Sequence, residues 1–534
     1  MSMTESLPKF QSSRIVGFAL ATGAIVALPL CSLLLASNPG PSVPIILWFY
    51  ASGCAALVLS LAFPSSFFVF LLSLFLFVGF IAKAIANFVY GVALIEPIST
   101  FTSQWDQALT FAASGLSGVC LANLLAALFP SFSNTSMASG PARLANCVLA
   151  AFASLLVISI AVYWANYSFH ILRIGYPLGI DIDARIYAVA AFIITWGALV
   201  GGLTAVLWLI ELRRWPYASL VATATFLGVL AALSMGSRIQ LLLYVLAAVA
   251  VIVFRRQQVR DWIAIAMAMC LAAIVFAGSL AVVSFERTFD FGQTAPSSQF
   301  APPTLEPLAP PKSVDDVASP EANSISPKVS STPKEVTKPP ASQTTSLSDK
   351  VEAVTSDRFA LQGLFHQLRN LAIMRWVGLE GVMTAAANPE QLSVDLFLKV
   401  MSEDPAAGSH AIYQKMSGDR YGNVEYYTFL TLPGPIGIAS LSGSPLIVMA
   451  FMFALTLLGH LIEWVAARLT QNVATAAVTG VSLAYLTVQM GFPWTLLIYA
   501  IELLLSVTFV GVVWWVTRGL TSASQVESAR GALQ

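Results

Sequence analysis

Apolar residues in this chain run on in blocks rather than alternating with polar ones. The blocks are about 20 residues long, which is what an α-helix needs to cross a hydrocarbon layer ~30 Å thick while satisfying its own backbone. About twelve qualify, near residues 14–37, 43–63, 66–89, 107–129, 143–165, 184–211, 217–234, 239–254, 262–284, 436–466, 472–490 and 493–516. The pattern predicts an all-α polytopic integral membrane protein with about 12 transmembrane helices. The two blocks flanking Arg238 are short, and the last two turn through Gly491-Phe492-Pro493-Trp494. From Ile15 to Ser37 the first block is too long for a signal-peptide core and lacks a small-residue cleavage site, so an uncleaved first helix is expected there.

One long hydrophilic stretch interrupts this pattern, between Phe285 and Ile436. From about Thr294 to Asp349, the bulk of a linker set at 285–350, the chain is rich in Pro, Ser, Thr, Ala and Lys with hardly an aromatic, a composition that cannot bury enough apolar surface to offset ordering entropy. A disordered linker is expected there. Over 351–435 the pattern turns helical, with Phe359, Leu361, Leu364, Phe365, Leu368, Leu371 and Ile373 forming a broad apolar stripe suited to folding down onto helix ends. Asn388-Pro389 and Asp404-Pro405 mark breaks, and Leu432-Pro433-Gly434-Pro435 marks the return to the membrane. The expected organisation is nine transmembrane helices over 1–284, the linker, the helical loop, and three more helices with a tail over 436–534.

Composition excludes a water-soluble domain, at 57% hydrophobic and 10% charged residues with a mean hydropathy of +0.78. Lysine plus arginine equals aspartate plus glutamate at 27 each, so net charge offers no argument for a nucleic-acid partner. The placement of the charges is more informative. Lys9, Arg14, Arg143, Arg213, Arg214, Arg255, Arg256, Arg260, Arg468 and Arg518 fall on one set of short loops, and only Arg173, Arg185 and Arg238 on the other. Because basic loops stay inside, both termini are expected to be cytoplasmic and the long loop, between helices 9 and 10, outside. All five cysteines lie in apolar blocks and none in the long loop, so no disulfide staples it. The chain contains no Walker loop, H-E-x-x-H or Cys-x-x-Cys, which excludes P-loop ATP hydrolysis and the common zinc spacings.

Charges on the outer side run against that bias, so each needs a reason. Arg238 sits in a connection of a few residues and needs an anion: a lipid pyrophosphate bound bidentately, or a neighbouring carboxylate at the interface. Lys83, in the outer half of the third helix, and Glu502, at comparable depth in the last, either pair with another intramembrane charge or line a wet cavity. Between His170 and Arg185, Arg173 and Arg185 suit phosphate or sugar. Asp181 and Asp183 read as solvated loop acids, a weak signal for a metal. His366, Arg369, Arg375, Glu380 and Arg420 gather in the large loop among apolar residues. His366 and Arg369 are helical neighbours, so an imidazole could take a hydroxyl proton while guanidinium groups stabilise a phosphate leaving group. The plainer account is the polar face of an amphipathic helix. His460 and Glu463 read as packing and capping groups beside Arg468.

With Gly236-Ser237-Arg238, a large arginine-bearing outer loop late in the chain and about twelve helices, the chain resembles the bacterial O-antigen polymerase (Wzy) family, part of a superfamily shared with O-antigen ligases. Local likenesses are Gly79 to Lys83, Glu96-Pro97, Trp105-Asp106 and Leu432-Pro433-Gly434. The resemblance implies polymerisation of undecaprenyl-pyrophosphate-linked repeat units, for O-antigen or exopolysaccharide, on the periplasmic face of the bacterial inner membrane. It implies no metal, nucleotide sugar or other cofactor, and it admits a partner that regulates chain length. The pyrophosphate-holding role would fall to Arg238, Arg369 and Arg375, with Arg173 in support; in the ligase alternative the same groups act with His366 as base. The chain departs from both family patterns: a polymerase-like Arg and Gly with ten residues between them is missed by one in Arg369 to Gly381. The ligase-like His-Gln to Gly-x-x-Gly has ten residues in the gap where nine are usual. Polymerase and ligase both stay open, as does a flippase or transporter.

Overall fold

The computed structural model describes residues 41–62, 66–91, 94, 101, 103–126, 142–173, 183–237, 239–294, 377–417 and 432–531. The chain forms two compact units, one of residues 1–286 with 369–534 and one of 287–368. In the first unit the helices are α1 (Val43–Ala62), α2 (Phe67–Phe88), α3 (Trp105–Ala126), α4 (Ala142–Phe169), α5 (Ala184–Phe192 running through Ile193–Gly197 into Ala198–Arg213), α6 (Ala218–Met235) and α7 (Gln240–Phe254). α8 (Trp262–Thr294) passes into the second unit at Arg287. Then come α9 (Leu379–Ala387), α10 (Val394–Met401), α11 (Ile412–Met416), α12 (Gly434–Ser440), α13 (Pro445–Thr470), α14 (Val473–Val488) and α15 (Pro493–Gly531).

Among the described residues nine helices are long and apolar enough to cross a membrane, and α7 and α14 are shorter apolar helices. This is a polytopic helical membrane protein. The first expected helix, 14–37, and the apolar stripe from Phe359 to Ile373 lie outside the described residues. The single helix expected over 436–466 is two, α12 and α13. Gly443 takes a left-handed φ of 70° and Pro445 can only begin a helix, so the backbone turns between them despite the unbroken apolar composition.

The helix ends fall into two sets. At one, Phe88 meets Trp105 with ring centroids 4.6 Å apart, Arg173 beyond α4 reaches Glu286 of α8 at 2.7 Å, and Gly434 donates its N–H to Met490 O at 3.1 Å. At the other, Arg255 beyond α7 reaches Glu211 of α5 at 3.1 Å, and Ala218 at the start of α6 donates its N–H to Asp261 at 2.9 Å. Successive spanning helices therefore run in opposite directions, and the second set of ends holds Arg213, Arg214, Arg255, Arg256, Arg260 and Arg468. Left-handed residues close several helices: His170 after α4, Arg214 after α5, Gly236 after α6 and Gln471 after α13.

The core is built on close backbone approach. α14 is buried over almost all its length, and its small residues allow this: Gly480 lies against the Phe67–Phe68 backbone, and Thr475 exchanges a hydrogen bond with Thr204 at 2.8 Å. A buried carboxylate fixes the start of α2. Glu463 accepts hydrogen bonds from Ser66 Oγ at 2.5 Å, Phe67 N at 2.8 Å and Phe68 N at 2.7 Å, while Ser66 Oγ accepts from Val69 N. First-turn N–H groups have no intrahelical partner, so the carboxylate satisfies donors that hydrocarbon could not.

Candidate functional site

α2 is not α-helical throughout. Phe77–Ala82 is a π-helical turn, and Lys83 is the first residue after it. An inserted residue of this kind widens the helix and rotates its next turn, here bringing Lys83 inward. The Lys83 ammonium lies 2.7 and 2.8 Å from the two carboxylate oxygens of Glu380, with 2% and 7% of the two side chains exposed. Glu380 is the second residue of α9, a short helix buried at every position from Leu379 to Ala386. The end of the long polar segment is thus inserted into the bundle, against α3 and α12.

Three glycines make this insertion possible. A Cβ on Gly79 would overlap the Val377 carbonyl, one on Gly378 would overlap the Gly79 carbonyl, and one on Gly381 would overlap the Pro433 carbonyl. Each obstacle is backbone, which cannot rotate away. The far end of α9 is tied down by polar contacts: Thr384 and Tyr413 share a hydroxyl hydrogen bond of 2.9 Å, and Asn388 Nδ2 donates to Thr384 O at 2.9 Å. Ser393 N donates to Leu441 O at 3.0 Å, joining the start of α10 to the break between α12 and α13.

Arg173 forms a second cluster at the same set of helix ends. Its guanidinium contacts Glu286 Oε1 at 2.7 Å and His170 Nε2 at 2.8 Å. Gly236, left-handed at φ 61°, lies beside Arg173, and it is the backbone turn rather than the space that calls for glycine there. Glu502 stands apart from both clusters. It accepts a hydrogen bond from Trp196 Nε1 at 3.1 Å. Asp106, one of the local family likenesses, accepts from Ser42 N at 2.5 Å.

Lys83 and Glu380 are therefore brought together, and of the two accounts of Lys83 the geometry is that of a buried charge pair. Arg173 is not joined to that pair. Arg238, His366, Arg369, Arg375 and Arg420 lie outside the described residues, as does the side chain of Arg185. The sequence reading missed Glu286 and Trp196. Glu286 is signalled by its place one residue beyond Phe285, where an acid at the end of a spanning helix invites a basic partner. Nothing in the sequence marks Trp196 among the other tryptophans. Comparison with known proteins finds no matching family model, no matching curated protein and no matching solved structure.

Proposed function

We propose that this protein polymerises undecaprenyl-pyrophosphate-linked oligosaccharide repeat units at the outer face of a bacterial inner membrane, in a chain of about twelve spanning helices with both termini cytoplasmic. The docking of α9 carries this reading. The polar segment bearing His366, Arg369 and Arg375 ends, two residues after Arg375, in the backbone contact between Val377 and Gly79. That contact lies inside α2, in the half of the helix that leads to Phe88, and the helix ends on that side also hold Arg173 and the Gly236-Ser237 turn leading into Arg238. The opposite ends carry the basic short loops, which supports placing the candidate groups outside.

In this mechanism a sugar hydroxyl of the incoming unit attacks the anomeric carbon of the growing chain. The C–O bond to pyrophosphate breaks, undecaprenyl pyrophosphate leaves, and the hydroxyl proton passes to His366. Arg238, Arg369 and Arg375 hold the pyrophosphate oxygens, where paired N–H donors stabilise the charge that develops on the leaving group. The Lys83–Glu380 pair is closed off from solvent and acts by positioning α9, whereas Arg173 supports the turn before Arg238.

Deleting the protein from its host and sizing the surface polysaccharide and the carrier-bound pool tests this. Loss of long chains, with single repeat units still attached to their acceptor, is the expected result. Long chains trapped on the carrier would instead assign a ligase, and precursors stranded on the cytoplasmic face a flippase.

A further inference from the structure

A cavity of about 630 Å³ lies between α4, α5 and α15, away from the Lys83–Glu380 pair. Gly197 and Gly201 of α5, four apart on one face, put no side chain into it, and Phe152 and Leu155 line it from α4. On α4 the lining runs from Cys147 to Ile158, about 16 Å of helix at ~1.5 Å per residue, so the space is elongated along the helices. Cys147, Ala151 and Ile158 are exposed, which opens the cavity sideways onto hydrocarbon. A space so apolar gives water too few partners and suits an aliphatic chain.

The end of the cavity at Cys147 is a basic one. Arg143 precedes Cys147 by one helical turn on the same face of α4, and Arg213, the last residue of α5, donates from Nη2 to Asn146 Oδ1. Asn146 lies three residues beyond Arg143, so the two arginines meet on one turn of α4, beside the exposed lip of the cavity. Both are exposed, and among the described side chains neither forms an ion pair. Glu211, the acid at that end of α5, is held by Arg255 at 3.1 Å. Asn146 engages one N–H group of Arg213, which leaves its other donors for an anion, and guanidinium groups bind phosphate oxygens in pairs. Two positive charges at one end of an apolar slot open to hydrocarbon are complementary to an anionic headgroup followed by an aliphatic chain.

We propose that this cavity holds one acyl chain of an anionic phospholipid, whose phosphodiester lies at Arg143 and Arg213. A lipid whose headgroup also carries an ammonium offers the same phosphate but sets a like charge against the two guanidinium groups. The test uses the full chain in detergent, given equal amounts of phosphatidylglycerol and phosphatidylethanolamine with identical acyl chains, and counts retained lipid by native mass spectrometry. Wild-type protein is expected to retain phosphatidylglycerol about tenfold over phosphatidylethanolamine, the order expected of two basic residues facing one net negative charge. Combining Arg143→Gln with Arg213→Gln should bring that ratio to about one. Combining Arg256→Gln with Arg260→Gln, exposed on the loop between α7 and α8 that contributes nothing to the lining, should leave it unchanged. Phosphatidylglycerol with a diazirine along one acyl chain should label the cavity lining within 147–158 or 189–208, and the label should be lost with Arg143 and Arg213 replaced. Equal retention by the wild type overturns the proposal without any variant. A preference that survives loss of both arginines, or that falls as far when Arg256 and Arg260 are replaced, overturns it as well, the second outcome meaning diffuse attraction to the basic loops. Labelling confined to other helices overturns the place given to the chain.

Discussion

Replacing Lys83 by methionine is expected to cost the folded protein about 3–5 kcal/mol, because the Glu380 carboxylate stays buried with its counter-charge removed. Both oxygens of that carboxylate bond the same ammonium, and neither side chain has appreciable access to water. Glu380→Leu alone leaves the ammonium stranded and should cost a similar amount. Combining Lys83→Met with Glu380→Leu removes both charges together and is expected to restore most of the loss, since well-packed apolar groups replace buried ion pairs at little net cost. Thermal unfolding of the three variants in detergent measures this directly. A double variant no more stable than either single one would mean that the pair is not what holds α9 in the bundle. The folded double variant is also expected to retain chain extension, in keeping with a positioning role.

Glu463→Ala is expected to destabilise the protein by about 3 kcal/mol or more. It leaves Ser66 Oγ and the N–H groups of Phe67 and Phe68 without their acceptor, and an unsatisfied buried donor costs ~1–3 kcal/mol. Glu463→Gln keeps one oxygen acceptor and should lose about half as much, because the remaining bonds are no longer assisted by charge. The unfolding midpoint of each variant reports the difference, and an unchanged midpoint in Glu463→Ala would remove the cap from the account. The effect reaches the candidate site through α2, whose capped end and Lys83 belong to one helix.

The spanning helices are legible because hydrocarbon imposes a length and a composition on each, and α1 to α8 lie where the apolar blocks put them. What the sequence hides is interruption. The turn at Phe77–Ala82 has no compositional mark, being as apolar as the helix around it. Gly443-Ser444-Pro445 does carry a turn signal, but the apolar run on both sides outweighs it. Lys83 and Glu380 are each conspicuous as charges, yet they are 297 residues apart, and no periodicity relates positions at that distance. Glu380 reads with the outer loop because it follows a polar stretch. The glycines at 79, 378 and 381 are what let that loop's end descend, and glycine alone does not say what backbone it will meet. Arg173 reads as a phosphate ligand from its charge alone; its contact with His170 is local, whereas its ion pair with Glu286 joins positions too far apart in the chain for any periodicity to relate them.

The central claim is that this chain joins repeat units with loss of the lipid pyrophosphate, and one measurement tests it most directly. Lipid-linked repeat units extracted from the host after removal of this protein would be incubated with the purified full chain, and glycan length and free undecaprenyl pyrophosphate followed together. The account predicts a ladder of longer lipid-linked glycans with one undecaprenyl pyrophosphate released for each bond formed, both lost in Arg238→Ala. Repeat units that stay single, with no pyrophosphate carrier released, would contradict it.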